Sequence, residues 1–142
     1  METIRRNELR TEAGMLLFQC MFQAKSHFHK TVGDQELTPP IAGALLLLDE
    51  PMPMSELADR IGCDPSYVTG IADRLEELGL AERQPWPSDR RVKQLVVTQE
   101  GRRTMGDLAR SAFQSNPLLE SLSEDDLRNL VEILARAMAR DG

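Results

Sequence analysis

The spacing of apolar residues predicts a chain built mainly of α-helices. Residues 5–32 carry apolar side chains every three or four positions, which is the helical period, and a second apolar strip runs beside the first. The first strip comprises Leu9, Ala13, Leu16, Cys20, Ala24 and Phe28, and the second contains Phe18 and Phe22. Because a helix that is apolar on two sides needs two partners, we expect it to contribute both to the core and to a subunit contact.

Three shorter helices are predicted to follow. Prolines, glycines and capping side chains mark their ends, since a hydroxyl or carboxylate satisfies the first N–H groups of a helix and glycine lets the chain turn. The boundaries are Thr38 and Pro39 for the second helix, Ser55 and Gly62 for the third, and Asp64, Pro65 and Gly79 for the fourth. The buried stripe of the fourth helix is predicted to be Val68, Ile71, Ala72, Leu75 and Leu78.

A β-hairpin is predicted directly after the fourth helix. Residues 80–83 and 91–97 have the composition of strands, and the segment QPWPSD lies between them. Its two prolines fix φ and remove two backbone donors, so we expect strand pairing to break there. The adjacent arginines Arg90 and Arg91 are then predicted to lie on the hairpin tip.

Two helices are predicted to complete the chain. Thr98 caps the first of them, which contains Met105, Leu108, Ala112 and Phe113 and is ended or bent by Pro117. The last helix, within SLSEDDLRNLVEILARAMAR, has the capping pair Ser123 and Asp126 and a stripe of Leu127, Leu130, Leu134 and Met138. The predicted fold class is therefore mainly α with a small β wing.

Composition narrows the classes of function. The chain of 142 residues is 41% hydrophobic and 28% charged, as in soluble globular proteins, and it has neither a signal peptide nor an apolar run of about 20 residues. We therefore expect a cytoplasmic protein with no membrane contact. Cys20 and Cys63 form no Cys-x-x-Cys pair, which favours a reducing compartment and predicts no metal or cofactor.

Positive charge is concentrated in one stretch. Residues 83–103 contain six basic and two acidic residues, which gives this stretch a charge of +4. Because the net charge of the whole chain is −6, all other residues together carry −10. Any anion-binding role is therefore confined to this stretch and its neighbours.

The order of the elements indicates a winged helix-turn-helix. The fourth helix presents Ser66, Thr69, Gly70 and Asp73 opposite its buried stripe, and such small polar residues suit entry into a major groove. An arginine on a wing can reach the adjacent minor groove. Asp89 is expected to hold an arginine in one rotamer or to pair with Arg74. The alternative, ordinary helix-start residues and a solvated loop, stays open.

The run MSELADRIGCDPSYVTGIADRLEELGLAERQPWPSDRRVKQLVVTQEG resembles the MarR family of bacterial transcriptional regulators. The matching positions are Val68, Thr69, Asp73, Arg74, Leu75, Glu76, Gly79, Leu80, Asp89 and Arg91, followed by VVT, Glu100 and Gly101. LTPP at 37–40 is similar to the start of the family's second helix. The resemblance implies a homodimer joined through its first and last helices, in which each DNA-binding lobe addresses half of an inverted repeat.

On this basis we predict a single domain over 1–142, with dimerisation helices at 5–32 and 118–140, a DNA-binding lobe at 38–98 and a linking helix at 99–116. The predicted contacts to double-stranded DNA are Ser55, Pro65, Ser66, Tyr67, Thr69, Gly70, Arg74, Asp89, Arg90 and Arg91. The resemblance also implies a repressor released by a small-molecule effector, with an aromatic or phenolic acid as the expected class. Its candidate lining is Phe18, Phe22, His27 and His29, although the two phenylalanines are more often core residues.

Other functions are weighed against this interpretation. Cys20 in FQCMF is similar to a peroxide-sensing cysteine of some relatives, but its place on the apolar stripe favours a buried, inert thiol. Cys63 adjoins a helix start, where a thiol pKa can fall, and is the weaker redox candidate. A winged helix that binds protein is a further alternative. An enzyme is disfavoured, since the chain has no Gly-x-Ser-x-Gly, His-Glu-x-x-His or Gly-rich phosphate loop.

Overall fold

The computed structural model describes residues 1–32 and 37–139, and within those ranges the chain is mainly helical with one small sheet. The helices are α1 Glu2–Val32, α2 Pro39–Leu47, α3 Met54–Ile61, α4 Pro65–Glu77, α5 Gln99–Ala109, α6 Pro117–Glu120 and α7 Glu124–Ala139. The strands are β1 Met52–Pro53, β2 Ala81–Trp86 and β3 Asp89–Val97, and a π-helical segment, Arg110–Gln114, continues α5. The predicted fold class is confirmed.

The chain divides into two compact units. One is His29–Ser111, which contains the sheet and α2 to α5, and the other is formed by Met1–Phe28 and Ala112–Gly142. Each unit is described separately below. No helix in the described parts of the chain combines the length and the apolarity that a bilayer crossing requires.

The unit His29–Ser111 has a core of aliphatic side chains from every layer. Leu45 of α2, Leu57 of α3, Leu75 of α4, Leu95 of β3 and Leu108 of α5 are all almost completely buried. Each such side chain contributes about 1.5–3 kcal/mol through the area that it removes from water. The predicted stripe of α4 is buried as expected, apart from its last member, which is half-buried.

Glycine produces the turn between α3 and α4. Gly62 has φ 77°, a left-handed conformation that costs other residues energy, and its N–H donates to the Ala58 carbonyl at 2.8 Å. The start of α3 corrects one prediction, since Ser55 lies inside the helix and Pro53 is its N-cap. The reason is β1, which pairs with β3 up to Pro53 and so fixes where the helix can begin.

The sheet has the order β1-β3-β2. The sequence pattern does not predict the two-residue strand β1, in which Met52 lies opposite Leu95. Strands β2 and β3 pair from Ala81 opposite Val97 to Pro85 opposite Lys93. The predicted break in strand pairing at the prolines is present as a register shift between Pro85 and Trp86, after which one further pair, Trp86 opposite Asp89, follows. Strand β2 is the edge of the sheet, where a proline removes a donor that needs no partner strand.

The start of α5 packs closely on the corner between α4 and β2. The Thr98 hydroxyl accepts a hydrogen bond from the Gly101 N–H at 3.0 Å, as a capping residue should, and donates one to the Gly79 carbonyl at 2.6 Å. A Cβ on Gly101 would lie 1.9 Å from the carbonyl oxygen of Leu80. Only glycine therefore allows this approach, which holds the corner between α4 and β2 against the start of α5.

The second unit exposes its apolar residues. Val32 is the one buried residue of α1 among those described, and α7 has none. The predicted contribution of α1 to a core is therefore limited to its C-terminal end, whereas Phe18, Cys20 and Phe22 are all exposed in the single chain. These side chains are exposed because no other described residue of the chain covers the two apolar strips of α1 at these positions. The predicted capping pair of α7 is present, with the Asp126 N–H donating to the Ser123 hydroxyl at 3.1 Å.

Candidate nucleic-acid interface

Helix α4 presents a polar, accessible face opposite its buried stripe. Ser66, Thr69 and Asp73 are exposed, and Tyr67 between them is 48% exposed. A Cβ built on Gly70 would meet no atom within 4 Å, so the glycine is not required by packing within the chain. Because glycine in a helix interior costs about 0.5–1 kcal/mol relative to alanine, this position favours close approach over helix stability.

The hydroxyl of Thr69 already makes a hydrogen bond within the helix. It donates to the Pro65 carbonyl, one turn earlier, over 3.1 Å. This bond directs the proton of the hydroxyl back along α4 and leaves its lone pairs toward solvent.

Arg83 of β2 reaches across to α4 and connects the wing with the helix. One of its Nη atoms lies 2.7 Å from the Asp73 carboxylate and 3.3 Å from the Thr69 carbonyl oxygen, and the other contacts the Glu76 carboxylate. The hydrogen bond with Asp73, assisted by Glu76, raises the pKa of the Arg83 guanidinium above its ordinary value. The single positive charge of Arg83 therefore offsets part of the two negative charges of Asp73 and Glu76 on α4.

Sequence reasoning missed this role of Arg83, although a signal was present. Asp73 and Glu76 stand three residues apart on a helix predicted to meet phosphates, where unpaired carboxylates would repel the ligand. Such a pair calls for a nearby cation. The sequence offers Arg83 on the next element, yet only the structure identifies it as the partner.

Asp89 holds Arg91 at the base of the wing turn. The Asp89 carboxylate accepts hydrogen bonds from the Arg91 backbone N–H at 3.1 Å and from its Nε at 3.2 Å. The Arg91 side chain is nevertheless 91% exposed. Of the two partners predicted for Asp89, the structure therefore has the wing arginine, whereas Arg74 pairs with Glu77 on its own helix at 3.1 Å.

The predicted location of the arginines on the hairpin tip is wrong by two to three residues. The turn consists of Pro87 and Ser88, and both arginines belong to β3. The register explains their setting: Pro85 is opposite Lys93 but Trp86 is opposite Asp89, so residues 90–92 of β3 form a bulge with no opposite residues in β2.

A buried glutamine supports this bulge. The Gln94 side chain is only 7% exposed, and its amide donates to the Pro85 carbonyl at 3.2 Å, beside the register shift. A bulge bends its strand and redirects its side chains. The exposed side chains of Arg90 and Arg91 therefore leave the sheet at a place that a buried hydrogen bond defines.

Three of the four residues predicted to line an effector site, Phe18, Phe22 and His27, lie in the unit that begins with Met1–Phe28, whereas His29 begins the other unit. The Phe18 and Phe22 rings meet edge to face with centroids 5.0 Å apart, and both side chains are more than half exposed. His27 Nε2 lies 3.2 Å from the Ser115 hydroxyl oxygen. Cys63 is half-buried, and among the described residues no cluster of three potential metal ligands occurs.

Comparison with known proteins agrees with this architecture. The model of the MarR family matches residues 44–93, from α2 to the bulge of β3. The chain is 27% identical over 133 residues to the HTH-type transcriptional regulator MhqR of Bacillus subtilis (strain 168), a match that covers 89% of this chain and 92% of the relative.

Solved structures give the same result. CouR from Rhodococcus jostii RHA1, bound to p-coumaroyl-CoA, has a TM-score of 0.68 and 27% identity, with 89% of this chain and 91% of that chain covered. A mutant MarR from E. coli complexed with operator DNA has a TM-score of 0.63, with 87% and 91% covered. Its identity of 20% makes it similar in fold alone.

Proposed function

The chain belongs to the MarR family of winged helix-turn-helix transcriptional regulators, and on this premise we propose that it binds an inverted-repeat operator as a homodimer and releases it when a small molecule binds. The observation that carries the proposal is the accessible polar face of α4 beside a wing with two exposed arginines. The simplest outcome of such binding is repression. The proposal needs no cofactor, no catalytic step and no membrane, and it places the protein in the cytoplasm.

The proposed DNA contacts divide by the groove that they reach. The face of α4 lies in the major groove, where hydroxyls contact base edges or phosphates, and the wing arginines lie in the neighbouring minor groove or on its phosphates. The residues concerned are Ser66, Tyr67, Thr69 and Gly70 on α4, with Ser55, Pro65 and Arg74 around them and Asp89, Arg90 and Arg91 on the wing. Asp89 acts through Arg91, since their contact holds the guanidinium in place.

Dimerisation is proposed from the exposed apolar residues of α1 and α7. In α1 the side chains of Ile4, Leu9, Met15, Leu16, Leu17, Phe18, Met21 and Phe22 are each more than half exposed, and in α7 so are Val131, Ile133 and Met138. Soluble monomers rarely leave so many large apolar side chains together in water. A second copy of the chain supplies a matching surface, and its two-fold axis accounts for an inverted-repeat operator.

The experiment measures binding of the full chain to a duplex that it selects from a randomised pool, by fluorescence anisotropy at several salt concentrations. Replacing both wing arginines (Arg90→Ala, Arg91→Ala) removes four cations from a dimer. Because each phosphate contact contributes about 0.9 to the slope of log affinity against log salt, we expect the slope to flatten by about 3–4. Arg128→Ala, on the exposed α7, is the matched control and should leave the slope unchanged.

Two results would contradict the proposal in different ways. Wild-type affinity and slope in the double variant would show that the wing is a solvated loop. Failure of the wild-type chain to bind any duplex at low salt would favour a winged helix that binds protein instead.

The effector is proposed to be a small aromatic acid that contacts Phe18, Phe22 and His27. The exposed edge-to-face pair of phenylalanines offers an apolar surface, and the similar protein CouR is bound to p-coumaroyl-CoA. The effector acts by changing the separation of the two recognition helices. By linkage, a compound such as p-coumarate that weakens operator binding must bind the free protein more tightly than the DNA-bound protein. Calorimetry that finds equal affinities for both states would refute this mechanism.

A further inference from the structure

We propose that Thr69 selects a base that carries an exocyclic amino group in the major groove, adenine or cytosine, on the strand that it contacts. The inference deepens the proposed function and rests on it, since it requires α4 to lie in the major groove. It concerns the direction of one hydrogen bond. The Thr69 hydroxyl oxygen accepts this hydrogen bond from DNA and does not donate one.

The geometry of α4 determines this direction. The Thr69 hydroxyl donates its single proton to the Pro65 carbonyl at 3.1 Å, and a hydroxyl has one proton but two acceptor lone pairs. A threonine in a helix has few rotamers, and this backbone bond stabilises one of them. An outside group that meets the exposed side of this hydroxyl therefore meets an acceptor.

The backbone at Thr69 is held from the side of the wing. Its carbonyl oxygen accepts from an Nη atom of Arg83 at 3.3 Å, and the same Nη atom contacts Asp73 at 2.7 Å. The next residue is Gly70, beside which an added Cβ would meet nothing within 4 Å. The hydroxyl is thus fixed in position while its surroundings remain open to a base edge.

Ser66, one turn earlier on the same face, provides a contrast. No bond from its hydroxyl to another described residue occurs, so it can rotate and either donate or accept. A hydroxyl of that kind tolerates phosphates and every base. Thr69 is the residue of this face whose chemistry restricts the base that it meets.

Because the bases present different donors and acceptors in the major groove, a hydroxyl that only accepts should prefer certain bases. Adenine presents its N6 amino group and cytosine its N4 amino group, whereas guanine presents N7 and O6 and thymine presents O4, which all accept. An acceptor placed against guanine or thymine would leave two lone pairs facing each other. Contact of the Thr69 methyl group with the thymine methyl is the competing interaction, and the test separates the two.

The experiment begins with the duplex that the full chain selects. Each base pair of one half-site is replaced in turn, and the position at which Thr69→Val relaxes the preference of the wild type is identified. Valine has the shape of threonine without the hydroxyl. The base at that position is then replaced by an analogue without its amino group, which is purine 2′-deoxyriboside for adenine or 2′-deoxyzebularine for cytosine.

We expect removal of the amino group to weaken wild-type binding by about three- to tenfold, the effect of one hydrogen bond. Thr69→Val should bind both duplexes equally, and Thr69→Ser, which keeps the hydroxyl, should behave as the wild type. Ser66→Ala should remain sensitive to the analogue. The same analogue at a neighbouring position controls for the weaker base pair, and thermal unfolding confirms that each variant folds.

Several results would overturn the inference. If the selected base is guanine or thymine, the hydroxyl donates or the methyl group makes the contact. If removal of the amino group weakens binding by Thr69→Val as much as binding by the wild type, Thr69 does not contact that amino group. If Thr69→Val keeps the base preference of the wild type at every position, Thr69 does not select a base. In each of these cases the protein still binds its operator. Failure of the wild type to select any duplex would instead overturn the proposed function, and this inference with it.

Discussion

The contact between Arg83 and the recognition helix leads to a quantitative prediction. Arg83→Met keeps the aliphatic stem of the side chain and removes its ion pairs with Asp73 and Glu76, in which the arginine side chain is only 26% exposed. Exposed ion pairs contribute about 0.2–1 kcal/mol each. The two carboxylates, three residues apart, would then repel each other by about 0.2–0.5 kcal/mol. We expect the free energy of unfolding to fall by about 1–2 kcal/mol.

The same substitution should also reduce DNA affinity. It removes one positive charge beside each α4, so that the net charge of Arg83, Asp73 and Glu76 changes from −1 to −2, and this change costs about 0.5–1 kcal/mol near a phosphate in water. This corresponds to roughly a 2- to 5-fold loss per half-site at low salt. Adding Asp73→Asn to Arg83→Met should restore part of that affinity, because it removes one of the two charges.

The assays are urea unfolding at a fixed protein concentration and anisotropy titration of the selected duplex. Arg60→Met is the matched control for stability, since its ion pair with Glu56 on α3 at 3.2 Å is well exposed and should be worth less than about 0.5 kcal/mol. The reasoning would be refuted if Arg83→Met matched this control in stability, or if Asp73→Asn gave no recovery of DNA binding in the double variant.

Further predictions follow from packing, from the wing and from the apolar surface. Gly101→Ala should destabilise the fold by about 1–3 kcal/mol, because its Cβ would meet the Leu80 carbonyl, whereas Gly70→Ala should stabilise it by about 0.5–1 kcal/mol in the same unfolding assay. Gln94→Leu should cost about 1–2 kcal/mol by leaving the Pro85 carbonyl without its partner, and operator affinity should fall as the bulge loosens. Sedimentation equilibrium at micromolar concentration should give about twice the chain mass of 16.0 kDa, and a monomer would exclude the two-fold operator.

The sequence predicted the helices well because their burial is periodic. The stripe of α4 repeats every three or four residues, and the ends of the helix carry a proline and a glycine whose backbone preferences are local. Strand β1 has no such signal, since it is two residues long and includes Pro53. It exists because Met52 lies opposite Leu95, a contact between residues far apart in the sequence.

The prolines correctly predicted an interruption of strand pairing, but they did not predict where the wing arginines lie. Proline does remove a donor from a strand, but the cost depends on whether a neighbour needs that donor. Pro85 lies on the edge strand, and its carbonyl is satisfied by the side chain of Gln94. Strand order and long-range hydrogen bonds are tertiary properties, so the location of Arg90 and Arg91 in the bulge could not be read from the local sequence.

The apolar stripe of α1 shows a different limit of sequence reasoning. Its period correctly indicates a helix, but a period indicates that a face avoids water without identifying what covers it. In the single chain, Phe18, Cys20 and Phe22 are exposed. In the proposed dimer, a second copy would cover this stripe. Whether an oxidant can reach the Cys20 thiol would then depend on how the second copy packs on α1.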